Sequence, residues 1–74
     1  MIFYKVIPTI NGKQEEIDHF LNNKLKWCHK LGEVVKRAAD ENAKDLSVTT
    51  LENGYIVEFT SYFGKENYQF VYEQ

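Results

Sequence analysis

The chain holds one cysteine and one proline in 74 residues. Cys28 cannot form an internal disulfide, whereas a small secreted domain usually relies on several bridges, so a reducing, cytoplasmic compartment is expected. No stretch approaches the roughly 18 apolar residues of a membrane span, and no basic segment leads into an apolar run as in a signal peptide. Neither sign of charge dominates: the net charge is −2 with 27% charged residues. That is an ordinary solvated surface, not the basic footprint of a nucleic-acid binder.

Chemical motifs are missing as well. No glycine-rich dinucleotide loop, P-loop, nucleophile elbow or H-x-x-x-H pair occurs. His19 and His29 stand ten residues apart, too far along a helix to share a metal, and Cys28 reads as a small apolar core residue. The carboxylates Glu15, Glu16, Asp40, Glu41, Asp45, Glu52, Glu58 and Glu66 are scattered over expected helix ends and turns, with nothing pairing them for acid and base work. The expectation is a non-enzyme with no catalytic residue, no metal and no cofactor.

Aromatic residues are plentiful at 15%. A chain this short makes one domain, residues 1–74, and must draw its stability from a few large side chains. Ile2 to Ile7 is rich in β-branched and aromatic residues and ends at Pro8, which suits an edge strand. Asn11 with Gln14 has the spacing of a capping box, so a helix is expected from about residue 12. From Ile17 to Ala43 the residues Ile17, Phe20, Leu21, Leu25, Cys28, Leu31, Val35, Ala38 and Ala39 recur at three and four, the period of one helical face. About 30 helical residues would run about 45 Å, long for so small a domain, so a bend or break is expected at Asn22-Asn23 or Gly32. Lys24 projects into the stripe; a change of helix phase, a snorkelling stem and a functional lysine are the three readings.

After Asp45 the period becomes two. Asn53-Gly54 signals a type I′ hairpin pairing Val48 with Phe59, and Gly64-Lys65 a second hairpin pairing Phe59 with Phe70. Both registers put Val48, Val57, Phe59, Phe70 and Tyr72 on one surface. The expected fold is therefore α+β: one long helix packed on a mainly antiparallel sheet, in the order β-α-β-β-β. That element order resembles the cystatin and monellin architecture. The glycine-containing inhibitory loop of cystatins has no counterpart, Asn53-Gly54 standing alone, so the resemblance implies a fold and not protease inhibition.

One helix covers one face of such a sheet. The other should present Ile56, Glu58, Tyr62, Gln69 and Val71 to a protein partner or to a homodimer seam, and an unpaired edge strand could extend a partner's sheet. The expectation is a protein-binding module. Its small, motif-free character suggests a phage or mobile-element inhibitor of a host machine, for example a defence nuclease of the CRISPR type. The alternative is a nucleic-acid-binding regulator that uses the basic helix residues Lys26, His29, Lys30, Lys36 and Arg37, or the aromatic sheet face.

Overall fold

Asn11 and Gly12 take positive φ values of 53° and 78°, the backbone of a type I′ turn, and so fold the chain back on itself instead of starting a helix. A computed structural model describes residues 1–74. Strand β1 (Phe3–Ile10) turns at Asn11-Gly12 into the short β2 (Lys13–Gln14), and β3 (Asp18–Leu21) follows along the same edge. Phe3 pairs with Leu21 and Ile10 with Lys13. The helical extension expected over residues 12–23 is thus strand, turn and irregular backbone, and Ile17, Phe20 and Leu21 belong to no helical stripe. Strands of four residues or fewer are too short to show a period of two, and the spacing of three between Ile17, which precedes β3, and Phe20 imitates a helical face.

Helix α1 (Lys24–Asp40) begins after Asn22-Asn23, where the Asn23 side chain accepts a hydrogen bond from the Lys26 amide at 3.2 Å. It runs unbroken through Gly32. It ends in a Schellman arrangement: Asn42 has φ 51°, and the amides of Asn42 and Ala43 return to the carbonyls of Ala39 and Ala38. Seventeen residues give a length of about 25 Å, which fits a molecule 37 Å along its longest axis. The helix is neither long nor apolar enough to cross a membrane.

Strands β4 (Lys44–Leu51), β5 (Gly54–Ser61) and β6 (Gly64–Glu73) form the meander, and β6 pairs with β1, giving the antiparallel order β2-β1-β6-β5-β4 with β3 beside β1. Both hairpin registers differ from expectation. The central turn residues are Glu52-Asn53 and Tyr62-Phe63, so Val48 faces Val57, Tyr55 faces Phe70 and Phe59 faces Glu66. Each glycine stands one place after its turn, because its missing side chain serves a close approach. A methyl group on Gly54 would run into the Phe70 carbonyl, and one on Gly64 into the Asn11 amide. The slips are of two and four residues; even shifts preserve the face of every side chain.

The helix-covered face therefore carries Tyr4, Val6, Val57, Phe59, Tyr68 and Phe70, closed by Trp27, Val34 and Ala38 of α1. Trp27 is the centre of one end of this core. Its ring lies 5.1 Å from Tyr4 and 6.2 Å from Phe70, and its Nε1 donates to the Lys5 carbonyl at 3.1 Å. With Trp27 turned inward, Cys28 and Leu25 are exposed, correcting the assignment of both to the core stripe. Lys24 is exposed at the first helical position and stands in no buried site. Val48, also expected in the core, is 51% exposed on the outermost strand of the meander.

Candidate protein-binding surface

The β5–β6 turn carries the most exposed aromatic residues of the chain. Tyr62 is 98% and Phe63 61% exposed, with ring centroids 5.8 Å apart and nearly perpendicular. Their backbone, by contrast, is held from two sides. The Phe63 amide donates to Ser61 Oγ at 3.1 Å. Asn11, on the adjacent β1–β2 turn, donates from Nδ2 to the Phe63 carbonyl at 2.7 Å and accepts the Lys65 amide on Oδ1 at 3.1 Å. The Asn11 amide donates to the Lys65 carbonyl at 2.8 Å. One asparagine thus joins two hairpin tips, and Gly64 leaves the room that it occupies.

Beneath the turn lies Glu66, whose side chain is fully buried. Ser61 Oγ donates to one carboxylate oxygen, and Tyr68 OH and Arg37 Nη2 to the other. Arg37 also donates to Tyr68 OH at 3.0 Å and sits over the Phe59 ring, 5.4 Å from its centroid. Burial by itself would raise the Glu66 carboxyl, but the three donors and the Arg37 charge outweigh it and hold it below the ordinary carboxylate range. The Tyr68 hydroxyl is pushed up to about 12, first by burial and then by its bond to Glu66. A carboxylate so fully supplied with donors is no free base. Its role is to tie α1, through Arg37, to the foot of the β5–β6 hairpin.

The uncovered face of the sheet is reached from the same hairpin. Ile56 lies opposite Gln69, and Glu58 opposite Asn67. Ile56 and Gln69 are half-buried and Glu58 is exposed, beside a shallow, mostly polar hollow bordered by Ser47, Thr60 and Lys65. Val71 shares this face but is buried, opposite Lys5, whose Nζ pairs with Glu73 at 2.7 Å. Four of the five residues picked from sequence therefore share one sheet face, and Tyr62 stands apart at the turn. Three residues were missed. Phe63 and Asn11 depend on the turn positions, and Glu66 stands among the scattered acids in sequence, although its spacings of two from Tyr68 and four from Phe70 place it on the core face.

The basic helix residues are less available than their number suggests. Arg37 is committed to Glu66, Lys36 to Asp40 at 2.6 Å, and Lys30 lies 3.8 Å from Asp18. Lys26 and His29 are exposed, but neighbouring Trp27 is buried and cannot stack on a base. His19 on β3 and His29 on α1 are both exposed on separate elements.

No protein-family model, curated protein or solved structure matches the chain.

Proposed function

We propose that the chain is a non-enzymatic protein-binding module whose anchor is the Tyr62–Phe63 turn, with the adjoining open sheet face at Ile56, Glu58 and Gln69 as the surrounding contact. The observation that carries this reading is the pairing of a fixed backbone with exposed rings. Asn11, Ser61 and Gly64 hold the turn in one shape while Tyr62 and Phe63 remain in water. A pre-organised aromatic pair loses little entropy on binding, and burying both rings would contribute several kcal/mol before association costs. Aromatic anchors of this kind dominate interface energetics.

In its most specific form the reading makes the chain a stoichiometric inhibitor of a macromolecular machine, such as a phage-encoded inhibitor of a defence nuclease. Small size and the lack of a chemical motif support that form. The lone exposed Cys28 suits a reducing, cytoplasmic setting. The nucleic-acid alternative is disfavoured because three of its five basic residues already face carboxylates.

The test is affinity capture of the tagged chain from bacterial lysate, with and without nuclease, followed by mass spectrometry. The expected result is one protein retained in stoichiometric amount after nuclease treatment. Retention that vanishes with nuclease would replace this reading with the nucleic-acid one.

A further inference from the structure

The two edges of the sheet are finished differently. Along β1 the outer edge is occupied by β2 and β3. Along β4 nothing is paired outside. Edge strands that stay single are usually blunted by charge, proline or a bulge. In β4 the blunting is confined to the start, where Asp45 with φ 57° makes an irregularity between Lys44 and Ser47. From Leu46 to Leu51 the sequence Leu-Ser-Val-Thr-Thr-Leu has no charge, no proline and no glycine. Residues Lys44 to Thr50 are all exposed, with Leu46 at 40% and Val48 at 51% on the side that α1 occupies further in.

We propose that β4 pairs antiparallel with β4 of a second copy of this chain, about a two-fold axis through Val48. Opposite charges at the two ends of β4, Lys44 before the Asp45 irregularity and Glu52 in the turn after the strand, favour a second copy as the occupant and an antiparallel pairing centred in the strand. A two-fold axis at Val48, midway between Lys44 and Glu52 in sequence, brings the Lys44 end of each copy to the Glu52 end of the other, twice. Within the seam Val48 faces Val48, Leu46 faces Thr50 and Ser47 faces Thr49, with no like charges opposed. Sliding the register by one residue would turn each strand's apolar side to the wrong face of the joined sheet. The two sheets become one, both helices lie on the same side, and the Val48 and Leu46 side chains of both copies form an apolar ridge along the seam. The contact is isologous, as a two-fold dimer requires. It does not use the rings of Tyr62 and Phe63, so it stands or falls separately from the proposed anchor.

Disulfide trapping in the full-length chain tests the register. In a Cys28→Ser background, Val48→Cys places two thiols on directly opposed residues, whose Cα atoms are about 4.5–5.5 Å apart in an antiparallel pair and within disulfide reach. Thr50→Cys places them about 14 Å apart. The expected result is a covalent dimer from the first variant and not from the second. Sedimentation equilibrium supplies the second readout: Lys44→Glu and Glu52→Lys each weaken the dimer, the double swap restores it, and Val48→Lys weakens it roughly tenfold or more. All these positions are exposed, and circular dichroism checks that each variant is folded. A wild-type chain that stays monomeric at millimolar concentration, a dimer indifferent to Val48→Lys, or equal trapping at positions 48 and 50 would each overturn the proposal.

Discussion

At each end of β5 a two-residue turn is followed by a glycine and tied by an asparagine side chain to a neighbouring backbone, yet the two turns present opposite chemistry. At the β4–β5 turn the Asn53 Nδ2 donates to the Tyr72 carbonyl at 3.2 Å, and the Tyr72 amide returns to the Asn53 carbonyl at 3.0 Å. At the β5–β6 turn Asn11 makes the equivalent ties. The first exposes Glu52 and Asn53, the second Tyr62 and Phe63. Turn geometry therefore does not require aromatic residues at the second. The two rings are exposed and contribute nothing to the core, which supports the proposal that they meet a partner. The first turn is a built-in control for the second.

The largest effect expected from this comparison is on binding. Tyr62→Ser with Phe63→Ser should weaken the captured partner by about 100-fold, whereas Glu52→Ser should change it by less than about threefold. Neither should change the unfolding free energy from urea titration by more than about 0.5 kcal/mol, since none of these side chains is in the core. Equal losses at both turns would show that the aromatic rings are not the anchor.

Next in size is the contrast between the two glycines. Gly54→Ala should destabilise the fold by about 3 kcal/mol, because the new methyl meets the Phe70 backbone, which cannot move without disrupting β6. Gly64→Ala should cost about 1–2 kcal/mol, because the Asn11 side chain can swing away, although the turn is then released. Denaturant titration orders the two. If Gly64→Ala lowers partner affinity more than Gly54→Ala does, despite the smaller loss of stability, pre-organisation of the aromatic turn is what it disturbed.

The support beneath the aromatic turn has its own signature. Glu66→Gln should cost about 2 kcal/mol at neutral pH by leaving Arg37 with a weaker acceptor. The Glu66 carboxyl is held below its ordinary value of 4.5, so its stabilisation is complete above that value and is lost as the pH falls through the lower, folded one. The Gln variant should lack that acid limb. Tyr68 behaves in the opposite sense. Its hydroxyl is raised from 10.0 to about 12, so the protonated form stabilises the fold below pH 10 and the contribution disappears as the pH rises toward about 12. Tyr68→Phe should cost about 1 kcal/mol near neutrality and remove that alkaline step. Thermal unfolding across pH reads both.

The layers of the fold and the membership of each sheet face were legible because alternation survives an even slip in register. Val57, Phe59 and Phe70 stay on the covered face whether the turn lies at Asn53-Gly54 or at Glu52-Asn53. Turn positions were not legible, because a glycine that permits a close approach looks in sequence like a glycine that makes a turn. Asparagine hid the first third of the chain in the same way. Asn11, Asn22 and Asn42 all adopt left-handed backbone angles, the first in a hairpin, the second at the entry to α1 and the third at its end, whereas Asn11 also fits a helix cap. The candidate surface was half visible. Ile56, Glu58 and Gln69 follow from alternation, but Phe63 and its Asn11 clamp depend on a contact between residues 52 positions apart.

The most direct measurement is parallel capture from one nuclease-treated bacterial lysate by three folded baits: the unaltered chain, the Glu52→Ser/Asn53→Ser variant and the Tyr62→Ser/Phe63→Ser variant. The expected result is that the first two retain the same protein in stoichiometric amount and that the third loses it. Retention by all three alike, or by none, would contradict the assignment of the aromatic turn as the binding anchor.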